Sequence, residues 1–210
     1  MAITKLSVST VKNGLLKSNK IWDQTSTFTA TPTNSYIPIA SYTVPSGGVS
    51  SVTFGGIPQT YSHLQVRALV KGTDATDNRV AFSVQFNGDT TSSYNTHNLI
   101  AEGSGTPTAG SSGSTTYMFG NPNSEFPASG SGVSSASIFG AAVIDVLDYT
   151  NVNKFKTAKF LGGWDNNGAN GRITFESGLY RSLNSITSIY IYPNIGSWAQ
   201  YTNISIYGVN

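Results

Sequence analysis

Ser188-Ile189-Tyr190-Ile191-Tyr192-Pro193 and, after a Gly/Asn break, Asn203-Ile204-Ser205-Ile206-Tyr207-Gly208 decide the fold. In each stretch isoleucine alternates with serine or tyrosine. A period of two places the isoleucines on one face of a half-buried strand. The second stretch predicts a last strand lying inside a sheet.

The same pattern recurs upstream. Strands are predicted at Ile37–Val44, Val49–Phe54, His63–Lys71, Arg79–Asn87 and Tyr94–Glu102, with Gly- or Pro-bearing turns between them. Leu64, Val66 and Ala68 oppose Gln65, Arg67 and Leu69. Val80, Phe82, Val84 and Phe86 oppose Ala81, Ser83 and Gln85, so a half-buried strand is expected there. Asn87-Gly88 is the pair a type I′ turn favours. Gly103–Gly113 and Gly120–Gly132 read as loops around a short strand near Thr115–Phe119. The apolar run from Phe139 to Leu147 suits a strand covered on both faces. Phe155–Trp164 and Arg172–Tyr180 follow, with Ile173 and Phe175 expected in the core beside Ile144, Val146 and Phe160. About ten strands and no convincing helix predict an all-β antiparallel sandwich of jelly-roll type.

Composition narrows the function classes. The chain has 210 residues, and only 10% are charged, against about 25% in an average soluble domain. Its surface must therefore be built from Ser, Thr, Asn, Gln and Gly, as suits a protein packed on neighbours or working outside a cell. Hydrophobic residues at 38% argue against disorder. The absence of cysteine excludes thiolate metal sites, thiol nucleophiles and disulfides. Twelve basic residues nearly balance ten acidic ones. Neither Lys5, Lys12, Lys17 and Lys20 nor Lys154, Lys156 and Lys159 is dense enough for a nucleic-acid surface. No window reaches membrane-spanning length, so no membrane insertion is expected. The longest apolar run near the start is Leu15-Leu16, far short of a signal-peptide core.

Reactive constellations are sparse. His63 and His97 each stand in a predicted strand, with no nucleophile elbow beside them. Asp145 and Asp148 point to opposite faces of one strand, so they form no carboxylate pair there. Glu102, Glu125 and Glu176 belong to no motif. The loop from Asp165 to Gly171 is rich in oxygen donors, which suits Ca²⁺, but one carboxylate is too few and a plain hairpin is the simpler reading. Asp74, Asp77 and Arg79 form a second polar loop. No catalytic residue, cofactor or metal is assigned.

Residues 1–35 differ from the rest. Ile3, Leu6, Val8 and Trp22 are apolar anchors in a segment that turns Thr/Ser/Pro/Asn-rich before Tyr36. It reads either as an N-terminal arm contacting another chain or as a first strand of the same sandwich. Residues 36–210 form the sandwich domain.

Several segments of residues 36–210 resemble a family of small β-sandwich virion proteins of tailed bacteriophages, including phages of cyanobacteria and other marine bacteria. The resemblance lies in Ile39–Val44 with Pro45-Ser46-Gly47-Gly48, in Val52–Ile57, and in Tyr61-Ser62-His63-Leu64-Gln65-Val66-Arg67. It continues in Val84–Tyr94, in Ile138–Tyr149 and in Thr187–Gly208. It implies a capsid-decoration, head-fibre or tail-fibre component without catalytic activity. It also implies contacts with other virion proteins and with further copies of the chain, cytoplasmic folding and release by lysis. The alternative is a receptor- or glycan-binding module at a fibre tip. There Trp164 would stack on a sugar of the host surface, and Asp165, Asn166 and Asn167 would bond its hydroxyls.

Overall fold

The computed structural model describes residues 36–75, 79–120, 124–129, 136–166 and 171–210. Ile3, Leu6, Val8, Trp22 and the whole 1–35 segment lie outside the described residues, as do Asp77 and Asn167.

The described residues form thirteen strands and no helix. They are β1 (Tyr36–Thr43), β2 (Val52–Phe54), β3 (His63–Val70), β4 (Arg79–Phe86), β5 (Tyr94–Glu102), β6 (Thr108–Thr115) and β7 (Met118–Phe119). After these come β8 (Glu125–Pro127), β9 (Gly140–Leu147), β10 (Lys156–Trp164), β11 (Arg172–Tyr180), β12 (Ile189–Pro193) and β13 (Asn203–Val209). An eight-stranded sheet runs in the order β1-β13-β3-β9-β10-β11-β5-β6. A five-stranded sheet holds β2-β12-β4-β7, with β8 also paired to β4. A simple jelly roll has two sets of four; with sheets of eight and five strands, the architecture here is a two-sheet antiparallel β-sandwich.

The core lies where the two sheets face each other. Phe82 on β4 meets Phe126, Phe160 and Trp198 at ring distances of 5.7, 6.1 and 5.6 Å. A second aromatic group stacks Tyr180 on Tyr94 at 4.9 Å, with Phe86 5.5 Å from Tyr180. The Tyr94 hydroxyl donates to the Asp89 carbonyl and accepts from the Phe86 amide, both at 3.0 Å, which fixes the corner where the chain passes from β4 in one sheet to β5 in the other. That corner turns at Asn87 and Gly88, both with positive φ. The Asn87 Oδ1 also accepts from the Thr187 amide at 2.8 Å, tying the corner to the start of β12.

Several expectations change, among them the Gly120–Gly132 loop, whose residues 125–127 form β8. Residues 108–113, read as loop, belong to edge strand β6 along β5, because Ser, Thr and Ala still present a ladder when a neighbour offers its edge. Strand β4 is buried on both faces rather than one, and its edges are taken by β12, β7 and β8. The apolar run of β9 is covered on one side only: Ala142, Ile144 and Val146 are buried and Val143 is exposed. Most consequential, Ile173 and Phe175 are 56% and 50% exposed. The ladder with β10 sets this phase, for Phe160 lies opposite Glu176 and Ala158 opposite Gly178. Partners directly opposite share a face, so an inward Phe160 turns Glu176 inward and Phe175 out. Tyr180 then reaches the aromatic core. A Cβ at position 178 would come within 2.3 Å of the Met118 sulfur, so any larger residue at this inward site would displace the Met118 side chain.

Candidate interaction face

The phase of β11 leaves apolar side chains on the outer face of the large sheet. Leu99, Phe175, Leu161 and Val143 stand on β5, β11, β10 and β9, each directly opposite the next. All four are exposed, Leu99 and Leu161 by 52% each. They form a ridge across four strands. The neighbouring row, one step along each strand, reads Ala101, Ile173, Gly163, Ala141 and Leu69. Here small residues leave a shallow trough of about 420 Å³, walled by Leu161, Val143 and Ile173. A Cβ on Gly163 would stand 2.6 Å from the Arg172 carbonyl oxygen, so the trough floor is fixed by the backbone. The next row on the ridge side is polar: His97, Ser177, Lys159, Asp145 and Gln65. The outer face is thus divided across its strands into an apolar band and a hydrophilic border.

That border is held by side-chain bonds. Asp145 accepts from the Gln65 Nε2 at 2.8 Å, and the Gln65 Oε1 accepts from the Arg67 Nε at 2.7 Å. The Arg67 guanidinium lies 4.9 and 5.0 Å from the rings of Tyr36 and Tyr207, a cation–π arrangement. Asp148 pairs with Lys154, and that hydrogen bond holds its carboxyl below the usual range. The Asp148 amide donates to the His63 Nδ1 at 2.9 Å. Lys156 turns inward, donates to the carbonyls of Lys154 and Ser182 at 3.2 Å each, and burial lowers its pKa. The three lysines 154, 156 and 159 therefore make no common basic patch.

Glu102 and Glu125, unmarked in the sequence, meet at one end of the sandwich. Arg172 bonds Glu125 at 2.8 Å and Glu102 at 3.2 Å, and Arg79 bonds Glu102 at 2.5 Å and reaches Glu125 at 3.3 Å. Two arginines fork over two carboxylates, which makes a closed network. Behind it sits Glu176, fully buried, its Oε1 accepting from the Ser124 hydroxyl. Burial pushes its pKa up to about 7, against the opposing pull of that hydrogen bond and of Arg172. Among the described residues its Oε2 has no hydrogen-bond partner. The carboxyl is neutral enough to act as a proton donor, but no open surface reaches it.

Of the residues considered for a sugar, Trp164 and Asp165 border one shallow pocket of about 270 Å³ together with Gly171 and Arg172. Trp164 ends β10 on its inner side, 8% exposed, with no hydrogen-bond partner for its indole N–H among the described residues. Asn166 is also buried, while Asp165 is exposed. A ring covered this far offers no open face for stacking. No group of three or more His, Asp or Glu among the described residues is placed to hold a metal ion.

The apolar band could not be read from residue types alone, because Ile173 and Phe175 look like core until the β10–β11 register is known. Arg172, Thr174 and Glu176 alternate with them, and because burying charge is costly and burying apolar surface favourable, residue types alone point to the phase opposite to the one found. Comparison with protein-family models, curated proteins and solved structures finds no match.

Proposed function

We propose that this protein is a non-enzymatic structural component of a tailed-bacteriophage virion, mounted on the exterior of the capsid or tail through protein–protein contacts. The observation that carries the reading is the apolar band on the outer face of the large sheet. A contiguous exposed apolar patch of this kind on a soluble sandwich marks a contact surface. A flat strand face flanked by charged residues suits a protein partner better than a small substrate, which needs a concave pocket with convergent polar groups. The low charge of the chain and its likeness to virion sandwiches support the same reading.

Antibody labelling of intact purified particles, with quantitative peptide counting, tests it. The expected result is regular labelling on the particle exterior at a fixed copy number. Absence of the chain from washed particles would sink the proposal. Reproducible binding of the chain to a host-surface glycan array would move the function to the fibre-tip alternative.

A further inference from the structure

We infer that the apolar band joins a second copy of this chain face to face, around a two-fold axis lying between the ridge and the trough. The inference rests on the reading of this face as a protein-contact surface and names its partner. Three observations favour a copy over another protein.

The first is shape. An axis running between the two rows, parallel to them, exchanges the rows when the copies face each other. Leu161 of each copy then lies over Gly163 of the other, Val143 over Ala141, and Leu99 over Ala101. Phe175 lies beside Ile173. Three of the four ridge side chains meet a small residue of the opposing sheet, Phe175 meets the larger Ile173, and on β3 the stem of Arg67 crosses Leu69, so most of the face is complementary to itself, as an isologous contact requires. Two sheets packed this way lie about 10 Å apart with strands within about 30° of alignment.

The second is charge. On β10 the axis passes midway between positions 161 and 163. Lys159 and Asp165 stand equally far from it on opposite sides, and both are exposed. The same rotation sets Lys159 of each copy against Asp165 of the other. Opposite charges at the rim fix orientation without being buried.

The third is area. The six side chains Leu69, Leu99, Val143, Leu161, Ile173 and Phe175, each between 37% and 56% exposed, present together about 600 Å² per copy, at the lower bound of a specific interface, about 1,200 Å² in total. The expected dimer is reversible.

Sedimentation of the full chain over a range of concentrations tests the inference. Leu161→Asp and Phe175→Asp place two carboxylates in the centre of each interface, and each should raise the dissociation constant about 100-fold or more. Val152→Asp, at a side chain exposed by 58% in the turn before β10, should leave association unchanged. A wild-type chain that stays monomeric up to the highest soluble concentration overturns the pairing, and the virion reading then stands or falls on particle labelling alone. A dimer that survives both aspartates is joined elsewhere and equally overturns it. Unfolding of both variants would contradict the exposure of these side chains and overturn it too.

Discussion

Burial holds the Glu176 carboxyl protonated up to a pKa of about 7, from an ordinary 4.5. In the unfolded chain the same group ionises near the ordinary value. Between those two pH values the folded state therefore binds more protons than the unfolded state, and stability falls as pH rises. The stabilisation is complete below about pH 4.5 and gone above about pH 7. A shift of this size corresponds to at most about 3 kcal/mol. Asp148 acts in the opposite sense, because Lys154 lowers its pKa; its contribution is lost only as pH falls below the ordinary carboxylate range, outside this window. Glu176→Gln should flatten the decline. We expect the melting temperature of the wild type to drop relative to the variant between pH 4.5 and 7. Parallel curves would show that Glu176 does not titrate in this way.

Strand β11 has an apolar phase and a polar phase, and the polar one faces in. What favours this choice lies in its neighbours: Tyr180 fills the aromatic cluster, Gly178 clears Met118, and Arg172 completes the ion network. Truncation experiments separate the two phases. Phe82→Ala removes a ring with three aromatic neighbours and should cost about 3–5 kcal/mol. Phe175→Thr, on the outer face of β11, should change the stability of the single chain by less than about 1 kcal/mol. Both are read by denaturant unfolding at a concentration where the chain is monomeric. Equal losses would place Phe175 in the core and refute the phase. Edge strand β6 carries the same lesson in weaker form. Its Gly/Ser/Thr composition suggests a loop, yet β5 supplies an edge, and a backbone with free donors and acceptors pairs to it.

For the whole molecule, residues 35–210 cluster into one compact unit that holds the core. A chain of 36–210 alone is therefore expected to give a β-rich circular dichroism spectrum and one cooperative thermal transition. Failure to fold would mean that residues 1–35 supply a strand of the sandwich, the alternative that their apolar pattern also allows. If the shortened chain folds but no longer incorporates into particles, the first 35 residues serve attachment. The outer face then serves contacts between copies.

The sequence by itself determined the fold class, most strand positions and most of the core. Alternation at Ile189, Ile191, Ile204 and Ile206 is a local property of the chain, and all four are fully buried. The turn at Asn87-Gly88 was equally legible, since positive φ restricts the residue types allowed there. Only the tertiary structure decided which phase of β11 faces the core, and with it the apolar band, the Arg79–Glu102–Glu125–Arg172 network and the burial of Glu176. A period-two pattern states which side chains travel together but not which side is inside. When both phases carry something costly to bury or expose, cross-strand register settles the choice, and register depends on residues far away in the chain.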